Sequence, residues 1–162
     1  MPTPRGYSRS QILLHWVIAI LLVPQFLFDD GISGAFRTLM KEGTTTMTTG
    51  AVVHIVPGIA IFVLVLWRLV LRLARGAPEA PGEPGLQRTA GIVVHWLLYA
   101  LLIIMPVTGL VAWFGGVGAA GEVHEILQNL LLVLIGLHVA AALWHQFGLK
   151  DNLLNRMRQP DA

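Results

Sequence analysis

Four long apolar runs, separated by short polar breaks, occupy residues 11–28, 50–73, 90–114 and 123–147. A helix rising ~1.5 Å per residue needs about 20 apolar residues to cross ~30 Å of hydrocarbon, so each run predicts a membrane-spanning helix. The first run follows Arg5 and Arg9, as the core of a secretory signal would. It is long for such a core and no small-residue cleavage site follows it, so it reads as a retained helix. Residues 29–50, "DDGISGAFRTLMKEGTTTMTTG", read as a loop between the first two spans, and "GGVGAAGE" (115–122) as a short loop between the last two. The Pro- and Gly-rich "RGAPEAPGEPGLQR" (75–88) reads as a linker. Pro57 and Pro106 predict bends in the second and third helices. Four spans with short connections predict an all-α, antiparallel four-helix membrane bundle, a single domain over residues 1–162.

Composition agrees with a bilayer setting. The chain is 55% hydrophobic and 12% charged, whereas about a quarter of the residues in a soluble domain are charged. Its basic groups are placed unevenly. Arg5 and Arg9 precede the first span, Arg68, Arg72, Arg75 and Arg88 flank the linker, and Lys150, Arg156 and Arg158 follow the fourth. Only Arg37 and Lys41 fall on the other side. Positive residues stay inside, which puts both termini and the linker in the cytoplasm and the other two loops in a bacterial periplasm. The sequence pI of about 9.5 comes from these topology-setting groups, so nothing suggests nucleic-acid binding. Trp16, Trp67, Trp96, Trp113 and Trp144 lie mostly towards span ends, as an interfacial belt does. The absence of cysteine removes disulfides, thiolate zinc sites, iron–sulfur clusters and covalently attached c-type haem.

The candidate chemistry lies in six histidines, all in or at the ends of the spans: His15, His54, His95, His124, His138 and His145. Ionisable groups are expensive in hydrocarbon and usually functional there. His124 and His138 are 14 residues apart, nearly four turns and ~21 Å of rise, so they share one face at two depths. His145, seven residues on, continues that face. His54 is level with His124 near the outer surface, and His15 lies where the fourth span finishes. Pairs of imidazoles drawn from different helices, one towards each surface, are what two bis-histidine haems require. A closed zinc site would instead gather four ligands in one place. Gly58, one turn after His54, leaves room for a porphyrin, and Gly136 near His138 does the same. Arg68 shares the face of His54 nearer the inner surface and is a candidate for a haem propionate. Depth alone leaves the inner partner of His15 open between His138, His145 and His95.

"YSRSQILLHW", "GIAIFVLVLWRLVLRL", "HWLLYALLIIMPVTGL" and "IGLHVAAALWHQFGLKDNLLNRM" resemble, in order, the four helices of the bacterial cytochrome b561 family, over about residues 7–157. The resemblance implies that His54 and His124 are axial ligands of a periplasmic haem b, and His15 and His138 of a cytoplasmic one. It sets His145 near a quinone pocket, with His95 as a further candidate for quinone contact. It implies an oxidoreductase of the bacterial inner membrane, passing electrons from a periplasmic one-electron donor, superoxide, through two haems to ubiquinone. The alternative is a membrane cytochrome b subunit that relays electrons between a partner dehydrogenase and the quinone pool. Superoxide is an anion, and outer positive charge would attract it. Arg37 and Lys41 supply that charge, opposed by Asp29, Asp30, Glu42, Glu122 and Glu125.

Overall fold

A computed structural model describes residues 6–78 and 85–160, with every side chain among them except those of Asp29 and Asp30. Arg5, the middle of the linker and the charges of Asp29 and Asp30 lie outside what is described. The order of elements is α1 (Arg9–Leu27), α2 (Asp29–Glu42), α3 (Thr49–Arg75), α4 (Leu86–Gly115) and α5 (Gly118–Leu143). A π-helical turn, Trp144–Leu149, and a short 3-10 turn, Leu153–Met157, complete the chain. There is no strand among the described residues.

Local chemistry explains where these helices begin and stop. Ser8 and Gln11 form a reciprocal box at the start of α1: the Gln11 N–H donates to Ser8 Oγ at 3.3 Å, and the Ser8 N–H to Gln11 Oε1 at 3.0 Å. Thr48 Oγ1 caps α3 by accepting from the Ala51 N–H at 3.2 Å. Such caps contribute about 1 kcal/mol each. α2 and α4 end on Gly43 and Gly116, with φ of 72° and 65°, a left-handed conformation that glycine takes without a Cβ clash. With Gly116 and Val117 as the whole connection, α4 turns straight back into α5, so most of "GGVGAAGE" is helical.

Residues 29–50 hold the main difference from the sequence expectation: 29–42 are helix α2, only 43–48 are irregular, and 49–50 already open α3. The reason is a periodicity hidden between loop-like neighbours. Ile32, Ala35, Phe36, Leu39 and Met40 recur at helical spacing, and Ala35 is buried. α2 rests on the start of α3 through two glycines. A Cβ on Gly50 would sit 2.6 Å from the Cα of Gly31, so only glycine allows this approach.

α1 packs along α3, α3 along α4, and α4 along α5. α1 and α3 run antiparallel: Gln11 Nε2 donates to the Gly76 carbonyl at 3.1 Å, and the Arg68 guanidinium donates to the Gln11 carbonyl. Trp16 Nε1–H donates to the Met157 carbonyl at 2.8 Å. The start of α1, the end of α3 and the C-terminal segment therefore share one end of the bundle, the basic end, and α2 closes the other. Ile18, Ile61, Val65 and Tyr99 form one buried cluster, and Leu101, Leu131 and Leu134 a second, with Leu22 and Leu102 packed against both. Outward, Ile20, Val63, Val133 and Leu137 are exposed. A water-soluble monomer rarely shows such an apolar surface. α3, at 27 residues, is about 40 Å long, more than the ~30 Å of hydrocarbon it must cross.

Candidate functional site

At the α2 end, α3 and α5 bring His54 and His124 together, with ring centroids 6.0 Å apart and planes at 68°. They line a cavity of about 600 Å³, within the ~300–1,000 Å³ of cofactor and ligand pockets. His124 is the better defined of the two. Its Nδ1 lies 2.8 Å from the Met105 carbonyl of α4 and 3.1 Å from Thr108 Oγ1. A carbonyl only accepts, so Nδ1 carries the hydrogen and Nε2 keeps its lone pair for a metal. Gly109 makes room for this ring: a Cβ there would stand 3.0 Å from His124 Cε1. Gly58 lines the same cavity, and its missing Cβ would face Gln25 Oε1 at 3.6 Å. Gln25 Nε2 donates to the Val53 carbonyl at 3.5 Å. That carbonyl has no helical N–H to accept, because the residue four ahead is Pro57. Thr108, Gly109 and Gln25 do not figure among the sequence candidates. Thr108 and Gly109 stand in the "PVTG" of the third motif, but only the tertiary contact with His124 gives them meaning.

At the basic end three imidazoles meet. His15 of α1 and His138 of α5 have centroids 6.2 Å apart at 74°, and His95 of α4 is 5.1 Å from His138 at 83°. His95 Nδ1 lies 2.6 Å from the Gly91 carbonyl, one turn back. Arg68, through its bond to the Gln11 carbonyl, is held one turn before His15. A Cβ on Gly136 would meet nothing within 4 Å.

His145 does not join that group. It lies in the π-helical turn, which takes it out of the register of α5. Its Nδ1 is 2.5 Å from Asp151 Oδ2. Asp151 was present in the quoted motif as "KDN", yet linear spacing gives no reason to pair it with His145.

The donor set suits a group that brings an equatorial plane of its own. Metal–imidazole bonds of about 2.0–2.1 Å, the zinc value, put two opposed nitrogens ~4 Å apart and their ring centroids roughly 6 Å apart. The His54–His124 and His15–His138 separations, 6.0 Å and 6.2 Å, meet that measure, and the 5.1 Å of His95–His138 falls short of it. The interplanar angles of 68° and 74° make both pairs edge-to-face contacts.

A membrane helical bundle with opposed imidazoles on different helices has the architecture of a haem-carrying membrane protein. Comparison with known proteins agrees. The pattern of the family described as prokaryotic cytochrome b561 matches residues 6–160. Cytochrome b562 of Cereibacter sphaeroides is 37% identical over 155 residues, which cover 96% of this chain and 96% of that protein. A probable superoxide oxidase CybB of Yersinia pestis is 29% identical, over 94% of this chain and 96% of its own length. Cytochrome b561 homolog 1 of Escherichia coli K12 is 26% identical, over 93% and 96%. The chain belongs to the prokaryotic cytochrome b561 family and is a multi-pass membrane electron-transfer cytochrome. Membership implies b-type haem.

Proposed function

We propose that the protein is a di-haem superoxide:ubiquinone oxidoreductase of the bacterial inner membrane, with its basic end in the cytoplasm. His54 and His124 hold one haem b on the periplasmic side, and His15 and His138 a second on the cytoplasmic side. The observation that carries this reading is the presence of two imidazole pairs, 6.0 Å and 6.2 Å between centroids, at opposite ends of one bundle. Bound there, haem would supply one-electron acceptance and release. The protein supplies the rest. The Met105 carbonyl fixes the tautomer of His124, Gly109 gives that ring its place, and Arg68 is the candidate partner of a propionate. His145 stands at the quinone end, with His95 as a second candidate contact.

The overall reaction balances. Two superoxide anions each lose one electron and leave as dioxygen. One ubiquinone gains both electrons and two protons, and leaves as ubiquinol. Superoxide as donor is supported by the relative bearing that activity in its name and by charge at the α2 end. Arg37 and Lys41 of α2 line the cavity that holds His54 and His124, where positive charge raises the local concentration of an anion. Glu122 and Glu125 line it too and weaken that field. The second reading, an electron relay between a partner protein and the quinone pool, is favoured by the relative at 37% identity, named simply a cytochrome.

The test is a stopped-flow absorbance trace of the purified, oxidised, haem-loaded protein mixed with superoxide. Rapid reduction of the haem band, followed by reoxidation on adding ubiquinone, is the expected result. A haem band that superoxide leaves oxidised would overturn the donor and leave the relay.

A further inference from the structure

The C-terminal segment makes a connection that electron transfer alone does not require. After α5 the chain widens into the π-helical turn Trp144–Leu149, a form that recurs at functional sites. A Cβ on Gly148 would lie 2.9 Å from the Trp144 ring, so the turn depends on glycine there. The next residues double back. Lys150 and Asn152 have φ of 56° and 58°, and they are the only non-glycine residues with positive φ among those described. Asn takes this conformation readily, but a lysine holds it only where the surroundings over-determine it. Asp151, between the two, is the side chain this costly geometry presents. Its Oδ2 is 2.5 Å from His145 Nδ1, and its Oδ1 accepts the Leu153 N–H at 3.2 Å. Both carboxylate oxygens are thereby engaged. The Trp16 indole fastens the same segment to α1 through the Met157 carbonyl, beside His15.

We infer that Asp151 is the positioning residue for proton delivery to ubiquinone by His145. The inference rests on the proposed quinone role of His145. A carboxylate against Nδ1 holds the hydrogen on that nitrogen and leaves Nε2 as the atom that exchanges protons. His145 and Asp151 are 20% and 21% exposed, at the basic end of the bundle, the side from which the imidazole takes its replacement proton. Quinone reduction consumes two electrons and two protons. The imidazolium gives a proton from Nε2 to a reduced quinone oxygen, takes another from solvent, and repeats the transfer.

The experiment uses the full-length, haem-loaded protein, reduced and mixed with a short-chain ubiquinone at a series of concentrations. The readouts are the limiting rate of haem reoxidation and the half-saturating quinone concentration. His145→Ala should lower the limiting rate about a hundredfold, in the range of a lost general acid. Asp151→Asn should lower it by about tenfold or more, because the amide favours the wrong tautomer. The half-saturating concentration and the haem spectrum should stay as they are, and Asp151→Glu should recover most of the rate. If Asp151→Asn reacts at the unmodified rate while His145→Ala is slow, the inference fails and the quinone role of His145 stands. If both react at the unmodified rate, that role fails and takes the inference with it. A change in half-saturation alone, or loss of haem from both the Asn and Glu variants, would make Asp151 structural and overturn the inference.

Discussion

The ring of His124 is set by its neighbours on α4 as much as by its own helix. The Met105 carbonyl and Thr108 Oγ1 surround Nδ1 at 2.8 Å and 3.1 Å, and a Cβ on Gly109 would stand 3.0 Å from Cε1 and 3.2 Å from Nδ1. Gly109→Ala puts a methyl 3.0 Å from Cε1, and the ring must turn or the helices must part, at a cost of about 1–3 kcal/mol. The expected result is a weakened and shifted outer haem band with the inner one intact. It is read by redox-difference spectra; an unchanged pair of bands would show that Gly109 does not support the ligand. His54→Ala and His124→Ala should each remove one haem and spare the other, measured as haem per protein. Loss of both, or of neither, counts against the pairing. The ligand candidates were legible in the sequence because an imidazole in hydrocarbon stands out. Gly109, Thr108 and Asp151 were not, since a common residue type becomes informative only when a distant contact gives it a task.

At the scale of elements, two helices show how local rules are overridden or completed by packing. Pro57 removes a donor inside α3, and Gln25 of α1 serves the Val53 carbonyl left behind. Gln25→Leu should therefore lower stability by about 1 kcal/mol, the worth of a long, half-buried hydrogen bond. Thermal unfolding of the haem-loaded protein measures this, and an unchanged midpoint would mean the carbonyl finds another donor. α2 was hidden for a different reason. Its apolar stripe is short, and Gly31, Gly34 and the Thr-rich stretch after Glu42 look like loop on either side. The tertiary signal is the Gly31–Gly50 crossing, where Gly50→Ala would force a methyl to 2.6 Å from backbone. That substitution should lift α2 from α3 and speed reaction of the outer haem with a small soluble oxidant such as ferricyanide. Equal rates in the two proteins would show that α2 does not cover the site. Asn152 is of a type that favours αL, but nothing in the sequence marks Lys150 for it, so the fold-back of the tail had to come from the structure.

For the whole molecule, the distribution of charge separates the two functional readings. The basic end carries Arg9, Arg72, Arg75, Arg88, Lys150, Arg156 and Arg158, and hydrogen bonds tie the start of α1, the end of α3 and the tail to that end. The α2 end offers two cations, Arg37 and Lys41, and both line the cavity beside His54 and His124. If superoxide enters there, the field of these two groups acts on its encounter rate and little else. Arg37→Gln with Lys41→Gln should then slow haem reduction by superoxide about tenfold at low salt, within the range of electrostatic steering. The deficit should shrink at high salt, where the screening length falls to a few ångströms. Reoxidation by ubiquinone at the other end should be untouched, which makes it the internal control. A relay fed by a docking protein predicts a different outcome: superoxide reacts poorly before and after the change, at any ionic strength. Slow reoxidation in the variant would instead point to damage across the bundle, since Arg37 and Lys41 lie on α2, at the opposite end from His145. The same two side chains thus decide whether the cavity at that end is the mouth of an enzyme or the contact point of a carrier.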